Sequence, residues 1–370
     1  MEIDQARREI AAADAEMAAL FVRRMEAVKA VAAWKKERGL PILDKAQEAR
    51  VVERNSALVD DPELRSFYVR FLQDVMEVSK QYQRTLVEGA RIAYCGVEGA
   101  FAHIAARRVF PEGQLVSCGS FEAAYKAVED GESDCAVLPI ENSYAGEVGQ
   151  VVDLMFSGGL HVNGVYDLAV THNLLGLPGA SLEDVRTVLS HPQALAQCRS
   201  YLHQHGFDER SASNTAVAAQ TVAERGDKSL AAIASAETAA LYGLKILDHD
   251  VNESRTNTTR FAVFSRTERP PAGRQDGGAF LLLFTVKDEA GGLAKAINVI
   301  SAYGFNMRVL RSRPQKNLPW HYYFYAEVEG DEFSENGRKM LSALRGACPM
   351  VKVAGSYTAA ENAFQGGETI

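Results

Sequence analysis

Two apolar phases run from Ile3 to about residue 36, and no glycine or proline interrupts them. Ile3, Ile10, Met17 and Val31 share one phase. Asp14, Phe21 and Val28 share the other, three or four residues away. That spacing, in a stretch rich in Ala, Glu, Arg and Met, predicts one long helix with a coiled-coil-like seam. Gly39, Leu40 and Pro41 end it. Asp44 predicts the cap of a second helix over 45–58, which carries Gln47 and Glu48. Asp60-Asp61-Pro62-Glu63 starts a third, to about residue 87, with a stripe of Tyr68, Leu72, Val75, Ser79, Tyr82 and Leu86. After Glu88-Gly89 the pattern alternates between strands (91–95, 135–140, 161–170, 187–189, 231–234, 261–264) and helices, which predicts an α/β region. Residues 267–278 read as a linker rich in Pro, Gly, Arg and Asp. Strands at 279–286, 306–311, 320–328 and 351–357, with helices at 293–303 and 333–346, then give a βαββαβ order of the ferredoxin-like kind. The last dozen residues read as a disordered tail.

Extending the first helix's phases changes the picture. Arg24 falls on one, and Arg7 and Lys35 on the other, so three cations lie on the face that should be buried. Unpaired buried charge is expensive, so they should meet an anion, such as a polyanionic small ligand held between helices. The seam is long for one chain to cover, which suggests a helical dimer. Ser79 and Gln83 interrupt the third helix's stripe in the same way.

In the α/β region, polar clusters stand at the strand ends: Asn142-Ser143, His191-Pro192-Gln193, Ser213-Asn214-Thr215 and residues 256–260. Such ends are where α/β folds bind ligands. Each cluster also fits a plain N-cap or turn, and His191 fits a general base or a turn residue equally. The run Asn257-Thr258-Thr259-Arg260-Phe261 precedes a short apolar strand. Its hydroxyls are neutral proton donors and its Arg can grip a carboxylate, but alone it also reads as a turn that starts a strand.

A net charge of −8 gives no basic footprint for nucleic acid. Five scattered cysteines without a C-x-x-C pair signal neither a zinc site nor a disulfide framework. Gly96 and Gly99 do not complete a nucleotide-binding glycine loop. The N-terminus lacks a signal-peptide core, and no apolar run reaches the ~18 residues that span a bilayer. The expectation is a soluble cytoplasmic protein with small-molecule partners, no cofactor or metal, no nucleic acid and no membrane.

The set Arg7, Arg24, Lys35, Asp44, Glu48, Ser79 and Gln83 across three helices resembles the all-α chorismate mutase domain. The resemblance implies conversion of chorismate to prephenate by a pericyclic rearrangement. Arg7 (from a partner chain), Arg24 and Ser79 would hold carboxylates, Lys35 and Gln83 would face the ether oxygen, and Asp44 and Glu48 would border the ring hydroxyl. Gln47 stands where many members have Arg.

The motifs Gly99-Ala100-Phe101-Ala102-His103, Pro139-Ile140-Glu141-Asn142-Ser143, Ser190-His191-Pro192-Gln193-Ala194-Leu195, Ser213-Asn214-Thr215-Ala216 and Thr259-Arg260-Phe261 resemble prephenate dehydratase. That implies a two-lobed, periplasmic-binding-protein-like α/β domain, with Thr259 as proton donor. Asn142, Ser143, Ser213, Asn214, Thr215 and Arg260 are the candidates for its polar shell. The βαββαβ segment resembles an ACT domain, with an effector site at Gly291, Gly292, Leu293, Ala294 and at Ser312, Arg313, Pro314. Phenylalanine is the implied effector. Arg311 replaces the usual Glu and Gly-Gly-Leu the usual Gly-Ala-Leu.

The expected division is a helical domain over 1–88, a dehydratase domain over 90–267, an ACT domain over 279–357 and a tail over 358–370. The expected function is a bifunctional enzyme of phenylalanine biosynthesis under feedback by phenylalanine, assembled as a homo-oligomer, dimer or tetramer. The alternatives are a dehydratase with a vestigial mutase domain, or a non-catalytic binding regulator.

Overall fold

The computed structural model describes residues 3–254, 256–268, 278–316 and 318–358. The chain divides into two compact units, 1–90 and 91–370. The expected tail, all but its first residue, and most of the expected linker lie outside the described residues.

The first unit is three helices: α1 (Ile3–Glu37), α2 (Lys45–Ser56) and α3 (Pro62–Glu88). Asp44 caps α2 by accepting from the Gln47 amide, and Asp61 caps α3 by accepting from Glu63 and Leu64, with Pro62 in the first turn. Contacts Arg24–Ser79 and Lys36–Leu86 advance together along both chains, so α3 runs alongside α1 in the same direction. Much of the predicted seam is uncovered: Ile3, Ile10, Met17, Phe21 and Val31 are all exposed.

The second unit begins with β1 (Arg91–Cys95), α4 (Phe101–Val109), β2 (Gln114–Cys118), α5 (Phe121–Glu129), β3 (Cys135–Asn142), β4 (Gly146–Glu147), α6 (Gly149–Ser157) and β5 (His161–Ala169). A second lobe follows: β6 (Asn173–Gly176), β7 (Thr187–Ser190), α7 (Pro192–Gln197), α8 (Arg199–His205), β8 (Asp208–Ser211), α9 (Thr215–Arg225), β9 (Leu230–Ala234), α10 (Ala236–Tyr242) and β10 (Lys245–Asp248). The chain then returns to the first lobe as β11 (Thr258–Ser265). The lobes are therefore joined by two crossings, near 170–172 and 249–257.

The βαββαβ segment is β12 (Gly278–Thr285), α11 (Gly292–Ala302), β13 (Asn306–Pro314), β14 (Tyr322–Glu329), α12 (Glu335–Ala347) and β15 (Met350–Thr358). Its sheet continues into that of the first lobe, in the order β13-β14-β12-β15-β5-β11-β3-β1-β2, with β4 on β3. The second lobe has its own sheet, β10-β6-β9-β7-β8. The join between β15 and β5 is one register pair, Gly355 with Val162. Gly355 has φ +151°, and a Cβ there would fall 2.0 Å from the Val162 carbonyl oxygen, so only glycine fits.

One expected boundary moved. The strand read as 261–264 spans Thr258–Ser265, so Thr258, Thr259 and Arg260 are strand residues and not a turn before it. Ladder bonds from β3 and β5 on both sides override the polar character of these positions.

Candidate functional site

Thr259 lies opposite Asn142 in the β11–β3 pairing. The Asn142 side chain fixes how the two interact. Its Oδ1 accepts from the backbone amides of Tyr144 (3.0 Å) and Ala145 (2.9 Å), so its Nδ2 must face the other way. Nδ2 donates to Thr259 Oγ1 at 2.9 Å and to Asn257 Oδ1 at 2.9 Å. Thr259 is thus an acceptor from Asn142, and among the described residues nothing takes its hydroxyl proton.

The polarity propagates. Asn257, an acceptor at Oδ1, presents Nδ2 to Gln197 Oε1 at 3.0 Å. That same oxygen lies 2.9 Å from His172 Nε2, so His172 is the donor there and carries its proton on Nε2. The four amide and imidazole side chains form one connected file, in which Asn142 donates to Asn257, Asn257 to Gln197, and His172 to the same Gln197 oxygen from the other end. His172 sits in the first crossing, Asn257 in the second, Gln197 on α7 of the second lobe and Asn142 on β3 of the first. All four are buried, and burial holds the His172 pKa below the ordinary histidine range. Sequence reasoning did not single out Gln197 or His172. The available signal was a glutamine on the apolar face of Ala194-Leu195-Ala196-Gln197-Cys198 and a histidine directly before a buried strand.

The other expected residues divide. Ser143 is a clamp: its hydroxyl donates to the Thr256 carbonyl (3.1 Å) and accepts from the Thr258 amide (2.9 Å), which ties β3 to the start of β11. Asn214 caps α9 by accepting from Val217, Thr215 is buried behind it, and Ser213 is exposed. His191 caps α7 through Nδ1, which accepts from the Gln193 amide at 3.2 Å, so that nitrogen is not free as a base. Between the lobes, Thr238 of α10 donates to the Gly99 carbonyl (2.8 Å) and Tyr242 to that of Glu98 (3.1 Å).

Arg260 is not gathered with Thr259. Its guanidinium lies 2.6 Å from Glu327 of β14, 3.3 Å from Asp167 and 3.9 Å from Glu141. Burial opposes its charge, but these carboxylates outweigh burial and raise its pKa above the ordinary value. Arg313 is likewise occupied, by Asp153 (2.8 Å) and Glu147 (2.5 Å). Gly149 makes room for it, since a Cβ there would fall 2.1 Å from Arg313.

In the helical unit, Arg24 donates to the buried Ser79 hydroxyl, and burial lowers the Arg24 pKa. Gln83 is buried on the same face of α3, and its Oε1 has no partner among the described residues. Lys35 donates to the Ile42 carbonyl at 2.6 Å. Lys80, which sequence reasoning passed over, lies 3.2 Å from Glu48 and 2.8 Å from Glu77. Asp44 is exposed at its cap. Arg7 stands apart, 73% exposed and paired among the described residues with Asp4 at 3.6 Å. It is seventeen residues from Arg24, about 26 Å along the helix axis, so it does not reach this chain's own cluster.

In the βαββαβ segment, a cavity of about 900 Å³ is lined by Gly291, Gly292, Leu293, Ala294 and Ser312, with Asp288 and Trp320. Trp320 is 88% exposed and held at φ +64°. Arg313 and Pro314 do not line it. Nor does Arg311, whose guanidinium pairs with Glu141 and lies 3.9 Å from Glu147.

No described helix is long and apolar enough to cross a membrane. Family models match the chain twice: chorismate mutase type II over residues 6–84 and prephenate dehydratase over 92–269. The bifunctional chorismate mutase/prephenate dehydratase of Escherichia coli (strain K12) is 31% identical, over 95% of this chain and 95% of that protein. Arogenate dehydratase/prephenate dehydratase 1 of Arabidopsis thaliana is 36% identical, over 72% of this chain and 71% of its own length. Among solved structures, the prephenate dehydratase of Arthrobacter aurescens in complex with L-Phe is 27% identical with a TM-score of 0.68, over 74% of this chain and 91% of that one. A structure described as a novel type of quorum quenching acylase is 34% identical with a TM-score of 0.67, over 73% of this chain and 98% of that one. The helical unit, the two-lobed α/β unit and near full-length likeness to a two-activity enzyme place this chain in the bifunctional chorismate mutase/prephenate dehydratase family.

Proposed function

We propose that the helical unit rearranges chorismate to prephenate and that the two-lobed unit converts prephenate to phenylpyruvate, with Thr259 as the proton donor. The observation that carries the second role is the Asn142–Thr259 hydrogen bond. Because Asn142 donates, the Thr259 proton is turned away from the Asn142 amide. In the reaction the bond from the ring to its carboxylate breaks and CO2 departs. The electron pair enters the ring, and the ring hydroxyl leaves as water with the Thr259 proton, which solvent then replaces. Threonine is a weak acid, so placement does the work. Asn142 and Ser143 hold Thr259 and its strand, Ser213, Asn214 and Thr215 offer the opposite wall, and Arg260 acts as a tie between β11 and β14.

In the mutase, Arg24 and Ser79 take carboxylates, Lys35 and Gln83 face the ether oxygen, and Asp44 and Glu48 border the ring hydroxyl. The unmet Gln83 Oε1 and the desolvated Arg24 support a polar ligand at this face. Arg7 completes the site from a second copy of the chain, whose seam also covers the exposed apolar stripe of α1. Phenylalanine, as feedback inhibitor, occupies the cavity beside Asp288 and Trp320, with its ammonium toward the carboxylate. Dimer or tetramer assembly and a cytoplasmic location belong to the same reading.

An acylase reading, after the 34% identical structure, requires a base to take a nucleophile's proton. Thr259 Oγ1 meets an amide N–H instead. The test supplies chorismate, and separately prephenate and arogenate, to the full chain and follows phenylpyruvate or phenylalanine. Thr259→Ala should stop dehydration and leave chorismate consumption intact, and Lys35→Ala should do the opposite. Equal loss of both activities in either variant overturns this division of labour.

A further inference from the structure

The hydrogen-bond file that ends on Thr259 begins at a histidine with no other assigned task. His172 is 2% exposed, its Nε2 faces Gln197 Oε1, and its Nδ1 is buried without a partner among the described residues. A buried acceptor left unmet costs about 1–3 kcal/mol, which offsets what the Nε2 bond to Gln197 and the edge-on packing against Phe101 contribute. Stability does not account for the histidine.

We propose that His172 is a positioning residue for the dehydration, holding Gln197, and through it Asn257 and Asn142, so that Asn142 keeps donating to Thr259 and leaves the Thr259 hydroxyl proton for the substrate. The inference rests on Thr259 being the proton donor. The file has one permitted polarity. The backbone amides of Tyr144 and Ala145 pin Asn142, that orientation fixes Asn257 and then Gln197, and the Nε2–H of His172 is the second donor that holds the Gln197 oxygen in place. Without the His172 donor, the Gln197 amide keeps only Asn257 on its oxygen and gains freedom to rotate. A rotated Gln197 sets an N–H against Asn257 Nδ2. Asn257 then turns, and its own N–H meets Asn142 Nδ2, which cannot turn. The strain falls on the bond that aims Thr259. Gln197 belongs to the second lobe, and His172 and Asn257 to the two crossings, so the file also ties the aim of Thr259 to the relative position of the lobes.

The experiment compares His172→Leu and His172→Gln in the full chain. Glutamine restores an N–H donor near the Nε2 position, and leucine does not. His172→Leu should lower kcat for prephenate about 10- to 100-fold, the range expected for a misplaced catalytic group, with KM within about twofold and the melting temperature not reduced. His172→Gln should recover kcat to within about threefold of the wild type. A wild-type kcat in the leucine variant overturns the proposal, as does a glutamine variant that is equally folded and equally slow. Nitrogen-15 NMR of the imidazole gives an independent arm: the proton is expected on Nε2, and a proton on Nδ1 overturns the file's polarity. If the wild type does not turn over prephenate, the proposed function fails instead, and the NMR arm still decides the file.

Discussion

Arg311 on β13 forms an ion pair with Glu141, the residue that precedes Asn142 on β3. The βαββαβ segment is therefore in salt-bridge contact with the strand that carries Asn142. The cation that departs from the family pattern at 311 faces this interface and not the 900 Å³ cavity.

Reversing that charge should loosen the interface. Arg311→Glu would set a third carboxylate beside Glu141 and Glu147, both partly buried. The expected loss is about 1–3 kcal/mol, between the values for exposed and buried pairs. Thermal unfolding of the second unit reads it. An unchanged melting temperature would show that the pair does not contribute in solution.

Arg260 and Glu327 allow a sharper test. Glu327 is 1% exposed and depends on Arg260 at 2.6 Å, with Arg308 at 3.8 Å. Arg260→Ala strands that charge and should cost about 3–5 kcal/mol. Arg260→Met combined with Glu327→Leu should regain most of the loss, as denaturant unfolding would measure. A double variant as unstable as the single one would point to a role for Arg260 beyond the tie.

Glu332 should make stability depend on pH. It is buried against Ser356, and burial, aided by Asp331 and Glu268, pushes its pKa up to about 7. An unfolded Glu titrates near 4.3, so between about 4.3 and 7 the folded chain holds the extra proton. Stability falls as pH rises through that window and levels off above it, a change of about 4 kcal/mol from this group. Glu332→Gln should flatten this part of the stability–pH profile and raise stability above pH 7. An unaltered profile refutes the assignment.

Trp320 makes effector binding visible. The chain has two tryptophans, Trp34 and Trp320, and Trp320 lines the cavity with Asp288. In Trp34→Phe, phenylalanine should shift the remaining emission in a saturable way, and Asp288→Asn should weaken that binding about tenfold or more through loss of a charge-assisted bond. A flat titration removes the sensor reading.

How much of this was legible in the sequence depended on the range of the interaction. The three helices were readable to within a residue or two because their signals are local: Asp44 and Asp61 at the caps, no Gly or Pro within α1. Cations and amides on an apolar stripe marked Arg24, Ser79 and Gln83 for the same reason. Thr259 stood out only through its neighbours, and its strand was read as starting at Phe261. Pairing on both sides, which recruits Thr258 to Arg260, is a tertiary effect. His172, Gln197 and Asn257 meet across 25 and 60 residues of chain, and nothing local announces that. The destinations of Arg260, Arg311 and Arg313 were equally hidden, because they depend on which edge of one sheet meets the next.

The single Gly355–Val162 pairing has a mechanical meaning. β11 and β3 are held by seven register pairs, whereas the two sheets meet along β15 and β5 at one. One register pair alone gives little torsional stiffness, so the join rests on the apolar core that the two halves share, where Tyr323 stacks on Phe156 at 4.0 Å. Arginine struts add to that core, Arg260 to Glu327, Arg311 to Glu141 and Arg313 to Asp153.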